Sequence, residues 1–288
     1  MNEQGYLDLL KRVLEEGEHR EGRNGATKST FGERLVFDMK TGFPLLTTKR
    51  VFWRGVVEEL LWFLRGSTDV TELQNKNVHI WDGNSTREFL DSVGLQSTPE
   101  NNIGKAYGWQ WRNFGGSECS RGVDQLQYVI NELRDNPTGR RAVLSAWNPL
   151  QQAEMALPPC HMIYTFYRGK SGLSCQMMMR SCDIGAGLPF NIASTALFTA
   201  ILAHVLHIEC DKVIIVTGDT HLYTQHLESA KVQIEREPLS TPQLNILKDP
   251  PPNGKTTDCI SWIESLSYTD FELSNYCCHQ PLKYEMVV

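Results

Sequence analysis

Three kinds of side chain stand where their chemistry could be used. The first is a thiol. Cys160 follows Leu157-Pro158-Pro159 and precedes His161, which opens a segment, 161–167, that reads as a strand. The prolines fix φ and remove two donors, so Cys160 is presented at a stiff strand start. As a thiolate it would be a nucleophile; in apolar surroundings it would be a small buried hydrophobe. The second is a carboxylate. On a helical wheel, residues 53–64 place Val57, Leu60, Leu61 and Leu64 on one face. Trp62 and Phe63 cover most of the other, with Glu59 between them. Burial there would disfavour the charged form and raise the pKa, which suits proton handling near neutral pH. The alternative is a wet edge formed by Glu58 and Glu59. The third is a set of guanidinium groups: Arg23 in a Gly/Thr/Ser-rich loop, 21–30, the pair Arg140-Arg141 at a strand start, and Arg180 at a strand end. Such forks suit phosphate, and solvated surface arginines are the competing reading.

The elements that must position these groups fit in one large domain. The 288 residues are 41% hydrophobic, enough for a sizeable core. Residues 6–16 read as an amphipathic opening helix within an N-terminal segment, 1–20, that lacks a signal-peptide core. Helices are predicted at 53–64 and 125–134, and another starts at Arg87, with Asn84 and Ser85 as cap residues. Candidate strands are 140–147, 161–167, 173–180 and 212–217. The apolar run 191–208 is interrupted by Ser194, Thr195, Thr199, His204 and His207, and reads as a buried helix rather than a membrane span. Residues 117–124 and 248–257 are expected as surface loops. A net charge of −6 with no basic block argues against a nucleic-acid polymer or a membrane surface as partner. Eight irregularly spaced cysteines read as reduced thiols of a cytoplasmic protein, and no His/Cys cluster has metal-ligand spacing.

Several motifs then fall into one order. Phe43-Pro-Leu-Leu-Thr-Thr-Lys-Arg50, Glu59-Leu-Leu-Trp62, Ile80-Trp81-Asp82 and Tyr107-Gly-Trp-Gln-Trp-Arg112 come first. Leu157-Pro-Pro-Cys-His161, Arg180-Ser-Cys-Asp183, Leu188-Pro-Phe-Asn-Ile-Ala193, Gly218-Asp-Thr-His-Leu-Tyr223 and Met286-Val-Val288 follow. From about Arg23 to the last residue, the chain resembles the thymidylate synthases, closer to the animal and large-virus type than to the bacterial one.

The resemblance implies an α/β (α+β) domain over 1–288, with a large mixed sheet, a buried central helix and a closing tail at 284–288. It implies a homodimer and reductive methylation of dUMP with methylene-tetrahydrofolate. Cys160 would add to the uracil ring, with Arg180 supplying the charge that lowers its pKa. Arg23, Arg180 and Ser181 would hold the phosphate together with Arg140 and Arg141 reaching across from the partner subunit. Asn191 would read uracil, His221 and Tyr223 the 3'-hydroxyl. Glu59 and Tyr107 would move protons. Asp183, Ile80, Trp81, Asn84, Ala186, Gly187, Phe190 and Val288 would surround the folate. The departures are Thr165 for Gln, Met178-Met179 for Tyr-Gln, Thr195 for Tyr, Ala186 for Leu, Gln225-His226 for Asn-His and Arg-Asn-Gly for Arg-Thr-Gly. None removes a residue with a catalytic role above. Two other readings stay open: a dUMP hydroxymethylase that ends with water instead of hydride, and a nucleotide-binding protein without catalysis. Asn191, able to donate and accept at once, favours uracil over cytosine in each.

Overall fold

The computed structural model describes residues 3–22, 24–117, 119–252 and 255–287. The helices are α1 (Glu3–Glu16), α2 (Trp53–Leu64), α3 (Thr71–Gln74), α4 (Arg87–Ser92), α5 (Tyr107–Asn113), α6 (Gln125–Asp135), α7 (Gly187–Val205), α8 (Leu227–Ile234) and α9 (Thr256–Glu264). The strands are β1 (Glu18–Gly22), β2 (Gly25–Asp38), β3 (Val143–Ser145), β4 (His161–Gly169), β5 (Gly172–Asp183), β6 (Cys210–Tyr223), β7 (Gln243–Ile246) and β8 (Phe271–Ser274). Six strands form one sheet in the order β1-β2-β6-β5-β4-β3, while β7 and β8 pair separately. Every neighbouring pair in the large sheet is antiparallel except β5–β6, so the sheet is mixed. A parallel pair needs a long crossover, and α7 supplies it.

Strand alternation decides which residues α7 covers. Along β5, Cys175, Met177 and Met179 are buried, whereas Met178 and Arg180 are exposed. Helix α7 packs against the buried face with α2 on its other side. It is long and apolar enough to cross a membrane by composition, yet 78% of its apolar stretch is buried in the fold. It is a core helix, as its interrupted apolar run predicts. It starts earlier than expected, at Gly187, because Pro189 falls in the first turn, where no donor is needed. It ends at Val205, and His207 takes a positive φ of 54°.

Several local expectations change. Residues 21–30 are not a loop: β1 and β2 form a hairpin that turns at 22–25, with Gly25 at φ 122°. Thr27 and Ser29 are buried and alternate with half-buried neighbours like strand residues, and threonine favours strands. The cap of α4 is Thr86, whose hydroxyl accepts from the Phe89 N–H at 3.2 Å, not Asn84 or Ser85. The strand expected over 140–147 shrinks to β3: Val143, Leu144 and Ser145 lie in register with β4, and Ala142 and Ala146 add one backbone bond each at its ends. Thr256 and Thr257, expected in a loop, open α9.

Helix α5, which carries Tyr107, is tied to its neighbours by one guanidinium. Arg112 reaches both oxygens of Asp124 at 3.0–3.1 Å, Glu264 at 2.9 Å and the Leu64 carbonyl. Asp124, whose side chain is only 8% exposed, also caps α6 by accepting from the Gln127 N–H. Arg112→Met would leave that carboxylate buried without its cation. The expected loss is about 3–5 kcal/mol of stability, read as a lower denaturation midpoint by circular dichroism.

Candidate active site

Cys160 sits where β4 begins, one residue after the prolines, as their stiffness predicts. Its N–H donates to the Tyr107 hydroxyl at 2.8 Å and its carbonyl accepts from the Arg180 N–H at 2.9 Å. The Arg180 guanidinium donates to the carbonyls of Pro159 and Pro158 at 2.9 and 2.8 Å and comes within 3.7 Å of the Cys160 sulfur. The cation is therefore in place, but it does not win. Burial pushes the thiol's pKa up, Arg180 pulls it down, and Asp183 adds to the rise. The expected thiol-lowering field is present and is outweighed by desolvation.

Two cavities flank this point, one walled by Arg180 and the other by Cys160. One, of about 410 Å³, is polar and is lined by Arg180, Ser181, His221 and Tyr223, together with Arg20, Asp219, Thr27 and Ser29. The hairpin residues Gly22 and Asn24 border it; Arg23 between them lies outside the described residues. The shared face of His221 and Tyr223 follows from their spacing on β6. Asp219 stands between Arg20 at 2.7 Å and His221 Nδ1 at 3.0 Å. Neither Arg20 nor Asp219 was singled out from sequence; both lie inside or beside quoted segments, and it is the β1–β2 hairpin and its pairing with β6 that bring them together.

The other cavity, of about 190 Å³, is mostly apolar. It gathers Cys160, Glu59, Tyr107 and Asn191 with Ile80, Trp81, Asn84, Ala186, Gly187 and Phe190. Leu157, His161 and Met286 complete the wall; each stands inside a quoted motif but was given no role from the sequence. Val288 lies outside the described residues, but Met286 brings the tail to the cavity. Tyr284 anchors that tail: its hydroxyl donates to Gln233 at 2.7 Å, and the Lys49 ammonium sits 4.0 Å over its ring.

Not every expected residue is in these walls. Asp183 turns back on its own loop, its Oδ1 accepting from the N–H groups of Gly185 and Ala186 at 2.9 and 3.1 Å. It shapes the turn that presents Ala186 and Gly187. Arg140 and Arg141 are exposed and border a separate cavity at the end of α6, away from Cys160 of the same chain.

Two adjacent carboxylates on α2 have opposite surroundings. Glu58 is buried and paired with Lys76 at 2.7 Å. Among the described residues, Glu59 receives only the Trp81 indole N–H at 2.7 Å, and burial raises its pKa to about 7. Neither forms a wet edge. Among the described residues, no group of three or more His, Cys, Asp and Glu is arranged to hold a metal.

The raised Glu59 pKa has a stability consequence. The folded chain holds that proton up to about pH 7, whereas the unfolded carboxyl loses it near 4.5. The favoured protonated form contributes fully below the unfolded pKa, and the contribution is lost as pH rises through the folded one. Relative to Glu59→Gln, the protein should lose up to roughly 3 kcal/mol between these limits and then level off. Chemical denaturation of both proteins across that range checks the sign and the plateau.

Comparison with known proteins agrees with this arrangement. A sequence model of the family described as thymidylate synthase matches residues 4–288. The chain is 45% identical to the thymidylate synthase of Candida albicans over 99% of its own length and 98% of that protein. It is 44% identical to the human thymidylate synthase, over 98% of this chain and 90% of that one. It is 45% identical to a bifunctional dihydrofolate reductase-thymidylate synthase of Paramecium tetraurelia, of which it spans 61%. From the ordered motifs, the mixed sheet and these matches, the chain belongs to the thymidylate synthase family.

Proposed function

We propose that the chain catalyses the reductive methylation of dUMP to dTMP, with methylene-tetrahydrofolate giving up both the carbon and the hydride and leaving as dihydrofolate. The observation that carries this is the Cys160 sulfur at 3.7 Å from Arg180, which puts the wall of a polar cavity against the wall of an apolar one that holds Glu59. The relatives named above are thymidylate synthases, and the hydroxymethylase reading has no support beside them.

The roles follow from what each group can do. Arg180 and Ser181 hold the phosphate end of the nucleotide in the polar cavity, with His221 and Tyr223 on the sugar. Asn191, on the first turns of α7, meets uracil's acceptor and donor with one amide. Cys160 attacks C6 of the base. Because burial keeps the thiol protonated, its proton must leave during attack, and Arg180 stabilises the sulfur's charge as it forms. Glu59, with its pKa near 7, can exchange protons in either direction at neutral pH. Tyr107, buried and hydrogen-bonded to the nucleophile's own N–H, is placed to orient the C5 proton's acceptor. Ile80, Trp81 and Phe190 form the apolar wall that suits a flat pterin, and they exclude water from the base. Ala186 is smaller than the family's leucine, but its neighbours are apolar, so the space does not favour an ordered water.

The same reading makes the active unit a homodimer in the cytoplasm, the whole chain acting as one catalytic domain. The sheet face opposite α7 supports the first part. Val143, Thr165, Gln176, Ile214 and Val36 make one cross-strand row, and Ile163, Met178 and Val216 the next. All are half-buried or exposed in the single chain, and most are apolar, the kind of surface a second copy would cover. Thr165 and Met178, two departures from the family pattern, lie on this face and would repack it. Arg140 and Arg141, remote from their own chain's Cys160, would complete the partner's phosphate site. All eight cysteines are free thiols, as a reducing compartment requires.

Two experiments test these points. Incubation with dUMP and the folate should give dTMP in step with the near-ultraviolet absorbance of dihydrofolate, and 5-fluoro-dUMP with the folate should add covalently to the wild type but not to Cys160→Ala. A product heavier by CH₂O would convert the assignment to a hydroxymethylase. Second, Cys160→Ala dimers mixed with inactive Arg140→Ala/Arg141→Ala dimers should recover activity toward about a quarter of wild type, because half the exchanged dimers hold one complete site. Mixtures that stay inactive after proven subunit exchange exclude the shared site.

A further inference from the structure

The polar cavity holds a carboxylate that the roles above do not use. Asp219 stands on β6 two residues before His221, and the intervening Thr220 and Leu222 are buried on the other face. Across the sheet Ser29 of β2 faces His221 and Thr27 faces Tyr223, and Arg20 of β1 pairs in turn with Thr27. The register therefore turns Arg20, Asp219, His221 and Tyr223 to one side, where all four line the cavity. There the two oxygens of Asp219 are divided. Oδ2 accepts from the Arg20 guanidinium at 2.7 Å, and Oδ1 lies 3.0 Å from His221 Nδ1. The Tyr223 ring meets the imidazole edge-on, with 5.3 Å between centres and 85° between planes.

Counting donors fixes which nitrogen carries the proton. An ionised carboxylate only accepts, so Nδ1 donates to Asp219 whether the ring is charged or neutral. In the neutral ring the remaining nitrogen, Nε2, is then bare. It belongs to a side chain only 13% exposed, where an acceptor left unpaired is costly.

We infer that Asp219, braced by Arg20, is a positioning residue that holds neutral His221 as the Nδ1–H tautomer, so that Nε2 accepts from the nucleotide's 3'-hydroxyl and the site selects sugars whose 3'-group can donate. The inference deepens the nucleotide reading above and rests on it for its binding arm. A hydroxyl has a proton to give. A 3'-fluorine is of similar size but has none, and it would cover Nε2 without pairing it. The end of the sugar is thus read by the direction of one hydrogen bond rather than by bulk, the kind of recognition that rejects analogues lacking the group.

Protein labelled with ¹⁵N-histidine, read by multiple-bond ¹H–¹⁵N correlation at about pH 9, where imidazoles are neutral, distinguishes the two tautomers. The His221 signal is assigned by its loss in His221→Gln. The wild type should show Nδ1–H. In Asp219→Asn the Arg20 guanidinium, which only donates, keeps the amide oxygen on its own side and turns the amide N–H₂ toward Nδ1. Nδ1 must then accept, and His221 should appear as Nε2–H. Titration calorimetry at the same pH, with dUMP and with its analogue carrying fluorine in place of the 3'-hydroxyl, gives the second reading. The wild type should bind dUMP about tenfold or more tightly than the analogue, and Asp219→Asn less than about threefold. A purely structural role for Asp219 would weaken both nucleotides alike and leave their ratio unchanged. An Nε2–H signal in the wild type, an unchanged tautomer or ratio in Asp219→Asn, or equal binding of the two nucleotides by the wild type overturns the inference. The wild-type readings stand whether or not the variant folds. If the wild type binds neither nucleotide, the nucleotide reading and the 3'-selection fall together, whereas the tautomer signal still decides whether Asp219 sets His221.

Discussion

The site depends on how Arg180 joins β5 to the proline-rich approach to β4. Prolines cannot donate to a sheet ladder, so Pro158 and Pro159 leave the chain entering the sheet without their share of donors. Arg180 answers from the next strand. Its backbone N–H takes the Cys160 carbonyl and its guanidinium takes the carbonyls of both prolines. A planar fork with several donors can do this; an ammonium on a flexible stem would not hold the same geometry. The same side chain is thereby fixed beside the sulfur and on the wall of the polar cavity. One residue orients the backbone of the nucleophile, sets its local field and divides the two ends of the pocket.

Burial then competes with charge at each ionisable group around that point, and the outcome differs from group to group. Glu58 has Lys76 as partner, while Glu59, one residue on, has only an indole N–H and is pushed toward neutral pH. Cys160 has a cation nearby and still rises, because desolvation of a thiolate outweighs one partly exposed guanidinium. Lys49, buried beneath the tail, falls to about 8, with Asp183 resisting the fall. A pocket that disfavours every isolated charge leaves several groups close to exchanging protons, which suits a reaction that must move protons on and off a ring.

Much of this was legible in the sequence. The helix over residues 53–64 appears with the bounds its periodicity predicts, because one apolar helix wrapped in core carries its signal locally. The alternation that separates Met178 from Met179, the joint facing of His221 and Tyr223, and the buried helix after Leu188 are also local patterns. The ordered motifs placed the chain in its family for the same reason: they are contiguous. What only the tertiary structure decided is what depends on atoms from distant segments. The Gly/Thr/Ser run at 21–30 reads as a loop until β6 offers it a partner. Arg140 and Arg141 stand in an unbroken sequence with the site residues, yet the fold carries them away from their own Cys160. The acidity of Glu59 depends on its burial, with the Trp81 indole, 22 residues along the chain, pulling the other way. Periodicity is a property of neighbours in sequence, whereas desolvation and proton direction are properties of neighbours in space, and only folding makes those neighbours.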